Sequence, residues 1–145
     1  MMTDIMRESL LLIFLITGTI ADIRKRSIPI LLFILFGVTG LVFFIMTGSV
    51  SFTDEIFGIL LGIVFLALCR ISDGKIGAGD GMAILVSGIF LGGSRAACQT
   101  LYGMLGASLI SVLLLAFRKG NRNTTLPFLP FLLAGYLMDK AGGLL

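Results

Sequence analysis

The stretch SIPILLFILFGVTGLVFFIMTGSVSFT, residues 27–53, runs for 27 residues without a charged side chain. About 20 such residues suffice for a helix to cross the roughly 30 Å hydrocarbon layer of a bilayer. Outward from it, charges punctuate the chain into five further uncharged stretches: Ser9 to Ala21, Ile56 to Cys69, Gly81 to Ser94, Ala96 to Phe117 and Asn123 to Met138. The 145 residues are 57% hydrophobic and 13% charged, with a mean hydropathy of +1.10. Soluble domains carry about twice that charge. The expected fold is therefore an all-α membrane protein, a single six-helix transmembrane bundle spanning 1–145 with no separate soluble domain.

The basic residues orient the bundle. Under a six-span alternation Arg24, Lys25, Arg26, Arg70, Lys75, Arg118, Lys119 and Arg122 fall on one side, and Arg7, Arg95 and Lys140 on the other. The positive-inside rule makes the first side cytoplasmic and puts both termini outside. The formal charge of +3 is then an orientation signal that also suits anionic lipid headgroups, not a nucleic-acid footprint. The first apolar stretch could be read as a cleavable leader, but Asp4 and Glu8 stand where a basic leading region belongs.

Composition also removes whole chemistries. There is no His, which excludes Ser-His and Cys-His catalysis and imidazole metal sites. Cys69 and Cys98 lie on opposite expected faces and read as apolar packing residues rather than a disulfide. No cofactor or metal is expected. Small residues four apart, Gly58 with Gly62 and Gly88 with Gly92, suit close helix packing inside the bundle.

What remains is eight carboxylates. Asp4, Glu8, Asp54, Glu55 and Asp139 fall on the outer side and read as solvated loop charges. Asp22, Asp73 and Asp80 fall on the basic side, and Asp73 reads as a loop charge as well. Asp22 and Asp80 border the short stretches Ser9 to Ala21 and Gly81 to Ser94, which as helices give only about 20 Å each. Continuing either helix past its Asp would close the gap and sink the carboxylate below the membrane surface. Each also has a helix breaker nearby: Pro29 suits the first turn of the next helix, and Gly74, Gly77 and Gly79 permit a tight turn before Asp80. Irregular backbone at membrane depth persists where it lines a polar cavity. Two facing carboxylates could share a proton and activate water, as aspartic proteolysis needs. Two juxtamembrane Asp balancing nearby Arg and Lys fit the same spacing.

Three separated patches add a resemblance. Asp22-Ile-Arg-Lys-Arg-Ser-Ile-Pro29, Gly77-Ala-Gly-Asp80 followed by a segment ending at Gly92, and Leu126-Pro127-Phe128-Leu-Pro130-Phe131 together resemble the prepilin peptidases, Gly-X-Gly-Asp membrane aspartic peptidases that cleave type IV leader peptides. The resemblance implies Asp22 and Asp80 as the catalytic pair. It also implies that Gly77 and Gly79 shape the turn presenting Asp80, and that Pro29, Pro127 and Pro130 help shape the substrate entrance. Implied partners are type IV prepilin or pseudopilin substrates, cut just after a Gly at the cytoplasmic face of the inner or plasma membrane. Two departures matter. Met82 stands where many members carry Lys, and Lys75 can be assigned only as near the site. The chain also lacks the paired Cys-X-X-Cys insert that accompanies N-methylation, which implies a small peptidase without methyltransferase activity, as in tight-adherence pilus systems. A preflagellin peptidase would share these motifs. An ion-coupled transporter using intramembrane Asp residues, or an inactive secretion-system subunit, are the rival readings.

Overall fold

The computed structural model describes residues 2–25, 28–48, 51–72, 77–117 and 126–142. Within them the chain is six α-helices and no strand: α1 Met2–Lys25, α2 Ile30–Thr47, α3 Phe52–Ile71, α4 Ala78–Leu91, α5 Gly93–Ala116 and α6 Leu129–Gly142. Each uncharged stretch of the sequence contributes one helix. Three of them, α2, α3 and α5, are long and apolar enough to cross a membrane.

A short apolar helix forms the centre. α4 has 14 residues, about 21 Å of helix, and is buried over most of its length from Gly81 to Leu91. α1, α2, α3 and α5 all pack on it, and α6 closes the bundle against α5 and α1. The core joins Leu11, Phe14 and Leu15 of α1 to Ile84 and Phe90 of α4 and to Leu129 and Leu132 of α6. Phe14 meets Phe33 and Phe36 of α2 with ring centroids 6.0 and 5.3 Å apart. The outward faces are as apolar as the core: Leu31, Leu35, Ile45, Phe57, Leu109 and Val112 are all exposed. Such a surface fits lipid, where burying apolar groups inside offers no advantage over leaving them against acyl chains.

Glycine lets α3 and α4 meet backbone to backbone. Running antiparallel, the two helices match Gly58 to Gly88, Gly62 to Leu85 and Leu66 to Gly81, so that a methyl on Gly58 or Gly88 would collide with the other's backbone. The close helix packing read from Gly58 and Gly62 is thus observed, while Gly92 serves another purpose. It alone joins α4 to α5, with φ 79° and ψ 171°, a conformation that side-chain-bearing residues adopt only under strain.

Two expectations are corrected by helix length. α1 begins at Met2, not near Ser9, and α3 begins at Phe52, so the charges at this end stand on helices rather than in loops. Glu55 is 1% and Arg7 2% exposed; they pair at 3.0 Å, and Arg7 also donates to the Ile89 carbonyl. Arg95 bridges Glu8 at 2.8 Å and Asp139 at 3.2 Å, and Lys140 pairs with Glu8. Asp54 accepts both the N–H and the hydroxyl of Ser94 at the start of α5. Solvated loop charges is therefore the wrong description of Glu8, Asp54, Glu55 and Asp139. Cys98 is likewise exposed on α5 rather than packed, whereas Cys69 is buried.

Candidate active site

The other end of the bundle gathers the sequence motifs. Arg7 touches late α4 at Ile89, and the 15 residues from Arg7 to Asp22 carry α1 about 22 Å further, back to the beginning of α4. α1 continues past Asp22 to Lys25, so this carboxylate sits in a helical last turn, half-buried. An acid at a helix C-terminus opposes the helix dipole. Here a second helix offsets it: Asp22 Oδ2 accepts the N–H of Leu129, the first residue of α6, at 3.2 Å. Pro130 brings no N–H to this first turn, and Phe128 O receives the N–H groups of Phe131 and Leu132 at 3.0 Å. Leu129 is held in place by its side chain, fully buried against Gly18 of α1.

Asp80 stands in the first turn of α4, three residues after the N-cap Gly77, and donates its own N–H to Gly77 O at 3.0 Å. Gly77 has φ −67° and ψ 132°, which any residue can adopt. Its lack of a side chain matters for space: a methyl there would lie 3.3 Å from Asp80 Oδ2. Gly79 is less constrained, since a methyl would meet only Ile28 Cδ1 at 3.8 Å. Pro29 is the N-cap of α2, one residue before the first turn expected for it, and is exposed. Met82 packs partly buried against the core, and so leaves no cation two residues beyond Asp80. Asp73 and Lys75 lie outside the described residues.

The two aspartates share one end of the bundle. They are 58 positions apart, yet Asp22 holds the N–H of Leu129 while the neighbouring Phe128 lines the same cavity as Asp80. Beside Asp80 opens a cavity of about 220 Å³, lined also by Phe65 of α3, Ile84 of α4, Met104 and Ala107 of α5, and Phe128. One carboxyl thus looks into an otherwise apolar recess while the other is fixed to a helix start. Pro127 precedes Phe128 and Pro130 follows it by two residues, so both belong to the segment that brings Phe128 to the cavity. Among the described residues no three His, Cys, Asp or Glu side chains converge as metal ligands.

Several groups here escaped the sequence. The Leu129 N–H and the Phe65, Met104 and Ala107 lining carry no chemistry that a motif could flag. Cys69 donates its thiol to Gly77 O at 3.3 Å, a contact that no spacing rule announces. Compared with known protein families, characterised proteins and solved structures, the chain matches none.

Proposed function

We propose that this chain is a membrane aspartic endopeptidase that removes the basic leader of type IV prepilin-like proteins. The observation that carries the reading is the placement of Asp22 and Asp80 at one end of the bundle, Asp80 beside an apolar cavity and Asp22 on the helix start next to it, with the resembling motifs. In this reading all six helices cross the inner or plasma membrane, both termini face outward, and the aspartates lie at the cytoplasmic boundary. The substrate's apolar helix stays in the bilayer while its leader stays in the cytoplasm, so the scissile bond arrives at their depth.

The chemistry follows from the proximity of like charges. Two carboxyls within electrostatic reach do not both ionise readily. The ionised member takes a proton from water as the oxygen attacks the scissile carbonyl carbon. The protonated member donates toward the carbonyl oxygen where negative charge develops. Collapse of the tetrahedral intermediate breaks the C–N bond, and the leaving nitrogen takes a proton from the pair. Neither a cofactor nor a metal enters these steps, and nothing in the chain suggests methyl transfer to the new N-terminus.

Co-expression with a type IV prepilin should yield a shortened pilin. Asp22→Asn and Asp80→Asn should each reduce cleavage at least about a hundredfold. Asn suits this test because its amide oxygen can still accept the Leu129 N–H, leaving the anchoring of α6 intact while removing the acid. Full cleavage by either variant would sink the pair. Cleavage of preflagellin in place of prepilin would reassign the substrate within the same mechanism, and Asp-dependent ion flux without cleavage would favour a transporter.

A further inference from the structure

Gly77 is where three interactions meet. Its carbonyl accepts the Asp80 N–H at 3.0 Å and the Cys69 thiol at 3.3 Å. Its Cα lies against the Asp80 carboxyl, close enough that a methyl would stand 3.3 Å from Oδ2. Cys69 is itself fixed. It is 6% exposed in the last turn of α3, and its carbonyl takes the Ser72 hydroxyl at 3.0 Å.

The pairing continues a regular register. α3 meets α4 at Gly58 with Gly88, Gly62 with Leu85, Leu66 with Gly81, and then Cys69 with Gly77. The first three contacts are steric, backbone against backbone or side chain, and they lock the helices along their length. At the last, Gly77 is exposed and precedes the helix, and among the described residues the Cys69 thiol is a polar contact between the end of α3 and the start of α4. An S–H is a weak donor, so losing it perturbs geometry more than global stability.

We propose that Cys69 is a positioning residue for Asp80: its thiol holds the Gly77 carbonyl, which fixes the first turn of α4 and with it the spacing of Asp80 from Asp22. The inference rests on the peptidase reading above. It assigns to a buried thiol a task in the reaction without contact with substrate.

The test uses the full chain in lipid vesicles with a peptide carrying a basic leader, a Gly and an apolar helix. Wild type, Cys69→Ala, Cys69→Val and Cys69→Ser are compared for kcat, KM and thermal midpoint. Removing the donor in the Ala and Val variants should lower kcat about three- to tenfold, with KM and midpoint unchanged. Ser offers a hydroxyl to the same carbonyl and should recover kcat to within about twofold. Wild-type kcat in Ala and Val, a loss confined to KM, or a Ser variant as slow as Ala would each overturn the role of Cys69. If Ala does not fold, the Val and Ser pair decides. A folded wild-type chain that cleaves nothing overturns the peptidase reading itself, whereas a wild type that cleaves beside an equally fast Cys69→Ala overturns only the positioning role.

Discussion

Asp22 ends one helix and Asp80 begins another, and each position has a local electrostatic cause. A first-turn acid such as Asp80 favours the positive end of its own helix, and Asp22 receives the N-terminus of α6 in place of the one it lacks. Both residues were legible because charge is scarce: a carboxylate next to a short apolar run stands out when only 13% of the chain is charged. What was not legible is which neighbouring glycine the carboxyl needs. Gly77 and Gly79 look equivalent in the motif, yet only Gly77 abuts the Asp80 carboxyl. Gly77→Ala should therefore crowd Oδ2 and slow cleavage about tenfold with little change in thermal midpoint. Gly79→Ala, inside the first turn of α4 and in open van der Waals contact, should keep its activity and gain up to about 0.5–1 kcal/mol from better helix propensity. Steady-state kinetics and denaturation of the two purified variants would separate them, and equal losses in both would contradict this division.

Between helices, glycine seams and a buried ion pair act beside the apolar core. At the α3–α4 seam, Gly58→Ala forces a methyl into the Gly88 backbone and should cost about 1–3 kcal/mol, measured as a lowered denaturation midpoint. The pair of Arg7 and Glu55 joins α1 to the start of α3, both side chains nearly inaccessible. Glu55→Gln leaves a buried cation less compensated and should cost about 3 kcal/mol, whereas replacing both partners with Met should cost less than the two single changes together. A double-mutant cycle in detergent measures this; strict additivity would mean that the two charges are not coupled. The sequence disclosed that helices would pack through Gly58 and Gly62, since small residues four apart lie on one face. It did not disclose the ion pairs, because reading charges as ends of spans assumes that helices stop where charges start. α1 and α3 instead run through their charges, and tertiary partners 48 and 87 positions away neutralise Arg7 and Arg95. Such pairings depend on how α1, α3 and α5 converge, which no local pattern encodes.

Across the whole molecule, charge is unevenly divided. Under the six-span alternation read from the sequence, eight cations and three carboxylates fall on the side of Asp22 and Asp80, a formal +5, and three cations and five carboxylates on the other, −2, together the +3 of the chain. The structure sharpens this contrast, because Arg7, Arg95 and Lys140 at the negative end each sit in an ion pair with a carboxylate. Arg24 and Lys25, by comparison, are exposed where α1 ends. Orientation in a membrane follows the bias of Lys and Arg in short loops near span ends, so the Asp22–Asp80 end is the one that should remain in the cytoplasm. Outward placement of the C-terminus follows if all six helices cross. A reporter active only outside the cytoplasm, fused after Leu145, should then be active. Changing Arg24, Lys25 and Arg26 together to Gln weakens the bias beside the first helix, and should lower both reporter activity and leader cleavage by the same fraction, since inverted molecules would present the aspartates to the wrong face. Arg95→Gln should leave the reporter unchanged and instead lower the thermal midpoint, because that cation ties α5 to α1 and α6 rather than marking a side. An inactive reporter in an otherwise cleaving protein would mean that the six helices do not all cross, and would give α4 or α6, the two 14-residue helices, a re-entrant role.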